Sequence, residues 1–322
     1  MIHVASAGAP TAVIALGGNA LAPAGEKSTI YDQFRHTRES LGPIVDLAHD
    51  GWNLCVVHGN GPQVGDELIR NEIARREASP LPLGVLVAAT AGWIGYMVQQ
   101  SIENALRRAN SDRDVATIIT QVLVRADDPA LKNPTKFIGQ ALSVERADEL
   151  RRDGHAVKED GRGNLRRVVG SPEPQAIHEL PTIKRLVEQG TLVIACGGGG
   201  APIYLNPVTG LEGIDAVVDK DLAAAVLARD LGATLLLILT DVDAVYADWG
   251  TPQQRPLRRL SADGAEEMDR TGSFGEGSMA PKIRAAIDFA RRSGGRAIIT
   301  ELSRGREAVR GEAGTTITAE KA

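Results

Sequence analysis

The apolar residues of this chain form short runs rich in valine, isoleucine, leucine and alanine, and these runs alternate with longer helical patterns. Almost unbroken apolar runs of about five to eight residues are typical of strands that are covered on both faces. Their alternation with helices predicts an α/β fold in which a mostly parallel sheet lies between layers of helices. The predicted strands are Thr11–Leu16, Asn53–Val57, Val115–Val122, Thr191–Ala195, Thr234–Leu239 and Arg296–Thr300.

Between the apolar runs, hydrophobic residues recur at the spacing of one helix face. Ile94, Val98 and Ile102 mark such a face in the longest helical pattern. Two further helices are predicted over Asp219–Leu231 and Gln175–Gln189.

Residues 125–174 interrupt the alternation of predicted strands and helices, because they are polar and rich in turn-forming residues. A stretch of that length is too long for a plain loop between strands. We expect a small subdomain that projects from the sheet edge, inserted in a single domain over residues 11–318. Residues 1–10 are predicted to be an N-terminal extension.

Composition excludes several classes of protein. Lysine and arginine number 36 against 41 acidic residues, which gives a net charge of −5 and excludes a globally basic nucleic-acid binder. No apolar run approaches the roughly 18–20 residues of a membrane span, and the first ten residues contain no lysine or arginine of a secretory signal. Two cysteines do not make a disulfide framework. We expect a cytoplasmic protein whose partners include neither nucleic acid nor membrane.

Glycine-rich segments follow the first, second and fourth predicted strands, at Gly17–Leu21, His58–Gly65 and Gly197–Pro202. In open α/β sheets, ligands bind beyond the carboxyl ends of the strands. Glycines there let backbone N–H groups approach an anion, and a helix beginning after each loop adds positive potential. One such segment also fits a plain tight turn, but three at one edge favour an anion site.

The second of these segments has a competing interpretation. Gly59, Gly61 and Gly65 are spaced like a relative of the dinucleotide fingerprint, but no acidic residue ends a strand about twenty positions later. A dinucleotide oxidoreductase is therefore disfavoured. His58, beside the glycines, is interpreted as a hydrogen-bonded scaffold residue in preference to a catalytic base.

The segment Asp219-Lys220-Asp221 is typical of a helix start, with Asp219 as the N-cap. A charged, capped helix start is the plain interpretation. If the helix start faces a polyanion, Lys220 would neutralise a transferring phosphoryl group and Asp221 would hold nearby lysines in place.

Asp241 and Asp243 follow the fifth predicted strand and suit ribose hydroxyls, or Mg²⁺ by way of water. Turn formation is the alternative for these acids. Tyr246 offers an aromatic face to a base.

A second phosphate cradle is predicted at Gly277 and Ser278, with Lys282 on the opening turn of the next helix. Two anchored substrates with cations between them are the arrangement that phosphoryl transfer needs.

These segments together resemble the carbamate kinases, which have the amino-acid-kinase fold. The matching blocks occur in the family's order and span residues 12–318. They are Leu16–Leu21, His58–Gly65, Ile94–Tyr96 with Gln99 and Gln100, Asn133–Lys136, Arg166–Val169, Gly197–Gly200, Val218–Ala223, Leu239–Val242 and Gly277–Lys282.

The resemblance implies a three-layer α/β/α sandwich with a largely parallel eight-stranded sheet, and a homodimer. It implies reversible, Mg²⁺-dependent phosphoryl transfer between ATP and carbamate, giving ADP and carbamoyl phosphate. The family usually runs this reaction towards ATP in arginine or agmatine breakdown.

The resemblance also implies roles for particular residues. Lys136, in the projecting subdomain, would reach over the transferring phosphoryl group, with Lys220 and Lys282 as the other cations and Asp221 as their organiser. The substrate side would be Gly17, Gly18, Asn19, Asn60, Gly61, Gly198 and Gly199. The nucleotide side would be Thr240, Asp241, Tyr246, Gly277, Ser278 and Met279.

The chain departs from the family's pattern at Thr90–Trp93, Glu173, Thr251 and Glu276. Two alternatives follow. One is a kinase of another small carboxylate or carbamate-like acid, and the other is a non-catalytic sensor of nucleotide or carbamoyl phosphate. The intact lysines argue against a sensor, because a sensor can lose them and keep its binding loops.

Overall fold

The computed structural model describes residues 8–18, 21, 29–274 and 279–320. The strands are β1 Thr11–Leu16, β2 Asn53–His58, β3 Val115–Thr117, β4 Gln121–Leu123, β5 Lys136–Ile138, β6 Val157–Glu159, β7 Leu165–Val169, β8 Ala176–Ile177, β9 Leu192–Ile194, β10 Ala201–Asn206, β11 Gly210–Gly213, β12 Leu235–Thr240, β13 Val245–Ala247, β14 Arg255–Leu257, β15 Arg259–Ser261, β16 Arg296–Glu301 and β17 Thr315–Thr318. The helices are α1 Ile30–Glu39, α2 Gly42–His49, α3 Gly61–Ala74, α4 Leu83–Arg108, α5 Pro129–Lys132, α6 Val144–Arg152, α7 Leu180–Glu188, α8 Lys220–Leu231, α9 Ala262–Arg270, α10 Met279–Ser293 and α11 Gly305–Val309.

The central sheet has eight strands in the order β15-β17-β16-β12-β1-β2-β9-β3. From β16 to β3, neighbouring strands pair in parallel. β17 pairs antiparallel with β16 at one side of the sheet. The predicted α/β fold with a largely parallel sheet is confirmed.

The side chains of β1 show how the sheet divides the core into two layers. Val13 and Ala15 belong to a core that also contains residues of α8 and α10. Ala12, Ile14 and Leu16 point to the opposite face, into a core shared with α2, α4 and α11. This alternation follows from the two-residue period of a strand. Helices on both faces complete the predicted three-layer sandwich.

The prediction of one strand over Val115–Val122 is wrong. β3 ends at Thr117, and β4 begins at Gln121 in a second sheet with the order β11-β10-β4-β8. The chain turns between them because Thr120 is hydrogen-bonded to another segment. Its Oγ1 accepts from the backbone N–H of Cys196 at 2.9 Å, and its carbonyl accepts from Ala201 N.

The prediction of a helix over Gln175–Gln189 is wrong in its first third. Ala176–Ile177 forms β8, which pairs antiparallel with β4. α7 begins only at Leu180, with Pro181 in its first turn, where the missing N–H of proline costs no helical hydrogen bond.

Residues 125–174 contain α5, α6 and a three-stranded antiparallel sheet in the order β5-β7-β6. This small sheet lies on α3. Gly139 N donates to Gly61 O at 3.0 Å, and a methyl group on Gly65 would lie 2.1 Å from Gly139 Cα. Glycine at position 65 therefore permits the close approach. The boundaries at 125 and 174, like those at 11 and 318, stay predictions.

Ion pairs also hold this small sheet against α3. Glu72 of α3 pairs with Arg167 of β7, with 2.9 Å between Oε1 and Nη1, and with Arg146 of α6. The Arg167 guanidinium also lies 3.1 Å from His155 Nδ1. Burial and the neighbouring Arg167 charge lower the pKa of His155, so this contact favours the neutral imidazole.

Cys55 and Cys196 are free and buried, which agrees with the expectation that two cysteines do not make a disulfide framework. Burial raises the pKa of the Cys55 thiol to about 12, so this group stays a thiol at neutral pH. Across the described ranges, none of the helices combines the length and apolar character that crossing a bilayer requires.

Candidate active site

The three glycine-rich segments lie at one edge of the central sheet. They follow β1, β2 and β9, which are neighbours and run in parallel. The first and second segments are also in contact, because a methyl group on Gly59 would lie 3.6 Å from Gly18 N. The predicted meeting of these segments is confirmed for the described residues. Asn19 lies outside them.

The third segment is packed closely at each of its four glycines. Gly198, Gly199 and Gly200 have φ values of 68°, 91° and 86°, which side chains larger than hydrogen rarely adopt. A methyl group would collide with a different neighbour at each position: His58 Nε2 at 2.6 Å from Gly197, Asn60 Nδ2 at 2.3 Å from Gly198, Val218 O at 2.2 Å from Gly199 and Val122 Cγ2 at 2.2 Å from Gly200.

The expectation that a helix begins after each glycine segment is wrong for the third one. α3 begins at Gly61, within the second segment, but β10 begins at Ala201, directly after the glycines of the third. The third segment therefore receives no helix dipole of its own. Its attraction for an anion rests on backbone N–H groups and on nearby lysines.

His58 is a scaffold residue in this structure. It is fully buried, and its Nδ1 lies 3.0 Å from Gly59 O. Burial lowers the pKa of His58 to about 4, so the ring is neutral at physiological pH. A neutral ring packed beneath Gly197 supports the loop without adding a charge.

Asp221, in the first turn of α8, joins two lysines. Its carboxylate accepts from Lys220 Nζ at 2.5 Å and lies 3.3 Å from Lys282 Nζ of α10. Burial opposes ionisation of Asp221, but the charges of Lys220 and Lys282 outweigh burial and hold its pKa below the usual value. The lysine stem of Lys220 also lies against the second glycine segment, where a methyl group on Gly59 would meet its Cδ at 3.2 Å.

Asp219 is the N-cap of α8, as predicted, and its side chain accepts from Asp221 N at 2.9 Å. Its other carboxylate oxygen forms an ion pair with Lys136, the first residue of β5. Burial disfavours the charged carboxylate, yet Lys136 and Lys220 lower the pKa of Asp219 well below the ordinary value. This ion pair joins the projecting sheet to the edge of the central sheet.

The site thus gathers three lysines and two aspartates: Lys136, Lys220 and Lys282 with Asp219 and Asp221. Full ionisation leaves one excess positive charge in a largely buried cluster. Such a cluster is suited to an anionic group at the neighbouring glycine segments. Burial lowers the pKa of Lys220, whereas Asp221 and Asp219 raise the pKa of Lys282 against the effect of burial.

A cavity of about 290 Å³ opens beside Gly17 at the ends of β1, β12 and β16. Thr240 and Asp241 line it, together with Glu301. Tyr246, on β13, does not line this cavity. Its hydroxyl donates to Asp243 Oδ1 at 2.6 Å, and its ring packs edge-on against Trp249. Met279 begins α10, whereas Gly277 and Ser278 lie outside the described residues.

Comparison with known proteins decides the family. Residues 10–301 match the model of the amino acid kinase family. The carbamate kinase of Halobacterium salinarum is 47% identical over 95% of this chain and 97% of its own length. That of Pyrococcus horikoshii is 41% identical over 95% of this chain and 98% of its own.

This chain belongs to the carbamate kinase family. A solved structure agrees: carbamate kinase from Giardia lamblia bound to AMP-PNP superposes with a TM-score of 0.88, at 36% identity, over 97% of this chain and 99% of that one. The resemblance seen in the sequence motifs is thereby confirmed.

Sequence reasoning missed two partners in this member of the carbamate kinase family. Asp219 was assigned only to the helix cap, and Asp243 was not connected with the Tyr246 hydroxyl. A signal existed for Asp219, because three predicted active-site lysines need more than one buried carboxylate. No comparable signal pointed to Asp243.

Asp219 caps α8 and forms an ion pair with Lys136. Two substitutions distinguish the contributions of these contacts to stability. Asp219→Asn keeps a side chain that caps helices well, whereas Asp219→Ala removes the cap and should cost about 1 kcal/mol more in the free energy of unfolding. Because the folded-state pKa of Asp219 lies below its unfolded value of about 3.9, its charge stabilises the protein above that pH. This stabilisation is lost as the pH falls below about 4.

Urea unfolding at pH 7 and between pH 3 and 5 measures both effects. Asp219→Asn should show a shallower loss of stability with falling pH than the wild type. Equal slopes in the two proteins would show that the Asp219 charge does not stabilise the folded state.

Proposed function

We propose that this chain catalyses reversible phosphoryl transfer between carbamoyl phosphate and ADP, giving carbamate and ATP. The observation that carries the proposal is the cluster of three lysines and two aspartates beside the glycine segments. The relatives also support the proposal, because proteins that are 41% and 47% identical over 95% of this chain are named carbamate kinases. Among the site residues that the structure describes, none favours a different acid substrate.

In the proposed reaction, the phosphorus–oxygen bond to carbamate breaks while a bond forms to the terminal phosphate oxygen of ADP. Negative charge develops on the oxygens of the transferring group. Lys136, Lys220 and Lys282 stabilise that charge, and they are already oriented by Asp219 and Asp221. Preorganised charges lower the barrier because they need no rearrangement during the reaction.

The glycine segments hold the carbamoyl phosphate side through Gly17, Gly18, Asn60, Gly61, Gly198 and Gly199. Asn19 belongs to the same proposed set. Close packing around Gly197–Gly200 restricts movement of this loop. Its backbone N–H groups are therefore held in fixed positions relative to the substrate.

The nucleotide side comprises Thr240 and Asp241 at the 290 Å³ cavity, with Tyr246, Met279, Gly277 and Ser278. Bound with the nucleotide, Mg²⁺ would neutralise phosphate charge. In the described part of the chain no three acidic, histidine or cysteine side chains group as a metal site. This suits an ion held mainly by phosphates and water, with Asp241 acting through water.

The family resemblance supports a reaction that runs towards ATP, at the end of arginine or agmatine breakdown. The free thiols of Cys55 and Cys196 suit the reducing cytoplasm. The ratio of kcat/KM values measured in the two directions tests the preferred direction, and cell fractionation tests the location.

The first prediction of this proposal concerns Lys220. The wild type should form ATP from ADP, Mg²⁺ and carbamoyl phosphate. Lys220→Ala should lower kcat at least about 100-fold with a modest effect on ADP binding, because a charge that stabilises the transition state is removed. Coupled ATP detection and calorimetric ADP titration make the two measurements.

Lys184→Ala is the matched control, because Lys184 is exposed on α7, outside the cluster. It should retain wild-type kcat. Full turnover in Lys220→Ala would remove this residue from the proposed machinery. A wild type that binds ADP but forms no ATP would refute the proposed reaction.

We further propose that residues 125–174 act as a lid. The support for this lid is the ion pair of Lys136 with Asp219, the contact of Gly139 with α3 and the ion pair of Arg167 with Glu72 of α3. An apolar cluster adds to these contacts, in which Ile138 of β5 packs with Val64 and Leu68 of α3. Opening of the lid would therefore expose this small cluster as well as break the polar contacts.

The lid predicts a change in amide exchange. Adding ADP and carbamoyl phosphate should slow exchange over residues 136–169 because the lid closes over both substrates. Gly65→Ala should speed exchange there without substrates, since its methyl group displaces Gly139. Hydrogen-exchange mass spectrometry measures both effects.

Gly42→Ala is the control, because a methyl group there meets nothing within 4 Å. Unchanged exchange over residues 136–169 on substrate addition would rule out the lid.

A homodimer is the assembly we propose. Its support is an apolar groove of about 800 Å³ between α4 and the β10–β11 hairpin. Exposed apolar side chains lie in and near this groove, including Val85, Ile119, Leu205 and Leu211. Burying such a surface against a second copy would release water from it.

The dimer predicts a mass of about twice 34.1 kDa in solution. Ile119→Lys should produce monomers, because Ile119 is 53% exposed and lines the groove. Val144→Lys should stay dimeric, because Val144 is 61% exposed but lies on α6. Size-exclusion chromatography with light scattering distinguishes these outcomes, and a monomeric wild type would disprove the dimer.

A further inference from the structure

Thr90 on α4 makes a buried hydrogen bond with Asn60, the residue before α3. Thr90 is fully buried and Asn60 is 2% exposed. Asn60 Nδ2 lies 2.9 Å from Thr90 Oγ1. The same hydroxyl lies 2.8 Å from Leu86 O and 2.9 Å from Val87 O.

The chemistry of these groups determines which way the Asn60 amide faces. A hydroxyl has one proton, and the two backbone carbonyls can only accept it. Thr90 therefore donates to the turn of α4 below it and accepts from Asn60. The amide NH₂ group thus faces Thr90, and Oδ1, on the other side of Cγ, is turned away from Thr90.

The amide of Asn60 also lies flat against the third glycine segment. A methyl group on Gly198 would lie 2.3 Å from Nδ2, 2.4 Å from Cγ and 2.8 Å from Oδ1 of Asn60. These three similar distances show that the amide face, and not its edge, packs over Gly198. Rotation of the amide is therefore restricted by Gly198 on one side and by the Thr90 bond at one end.

We propose that Thr90 is a positioning residue that makes Asn60 Oδ1 the acceptor for the amino group of the substrate. This inference rests on the proposed function. Carbamate and carbamoyl phosphate carry an NH₂ group, which an amide oxygen can accept. If the amide were reversed, two NH₂ groups would face one another and neither would have an acceptor. Thr90 thus helps the site to recognise a carbamoyl group in preference to an acyl group without nitrogen.

Thr90→Val tests the proposal because valine has nearly the same shape and lacks the hydroxyl. The KM for carbamoyl phosphate should rise about 10-fold, the usual scale for losing the orientation of one buried hydrogen bond. The KM for ADP should change less than 2-fold. Acetyl phosphate has a methyl group where carbamoyl phosphate has NH₂, so its inhibition constant should also change less than 2-fold. Thr90→Ser retains the hydroxyl and should restore the wild-type KM.

Thr90→Ala removes the same hydroxyl with less steric demand and serves if the valine variant does not fold. The proposal is overturned if carbamoyl phosphate KM is unchanged in the hydroxyl-free variant. It is also overturned if the constants for ADP and acetyl phosphate shift equally, since that shows general damage to the site. A wild type without turnover refutes the proposed function and this inference together, whereas normal turnover with an unresponsive Thr90→Val refutes the inference alone.

Discussion

The buried charge cluster at the start of α8 is the interaction on which the site depends. Asp219 and Asp221 lie in the interior, where an unpaired carboxylate is very unfavourable. Their lysines come from three elements that are distant in the sequence: Lys136 from β5, Lys220 from α8 and Lys282 from α10. The cluster is complete only when the small sheet and both helices reach one edge of the central sheet. The same charges that require pairing in the fold would neutralise phosphate during the proposed reaction.

The packing of Gly197–Gly200 is the second constraint, and it acts through shape instead of charge. Each glycine lies against a different neighbour, so the backbone of this loop is held by contacts from several directions. His58 contributes a neutral ring because burial lowers its pKa to about 4. Asn60 contributes an amide whose direction is set by Thr90. These contacts fix the conformation of the loop. Because no helix begins after the loop, the nearby lysines supply the positive charge.

Much of the fold could be predicted because the buried faces of strands and helices require apolar residues at regular spacings in the sequence. The continuous apolar run of β1 and the charged start of α8 were both recognised from pattern alone. The run Val115–Val122 was misjudged because apolar character reports burial and does not report which sheet a residue joins. The hydroxyl of Thr120, bonded to Cys196 N, marks where the chain leaves one sheet for the other. That bond links residues far apart in sequence and has no local signal.

The sequence by itself determined roughly where the strands end and which residues are proposed to carry the chemistry. Glycines after three strands and the Asp219-Lys220-Asp221 segment require little beyond local geometry and the rule that parallel strands present their carboxyl ends together. Only the tertiary structure decided which charges meet, because the ion pair of Lys136 with Asp219 depends on how the small sheet settles on α3. It also decided the direction of the Asn60 amide. Hydrogen bonds and ion pairs act over a few ångströms, so their partners are chosen by folding and not by neighbours in the chain.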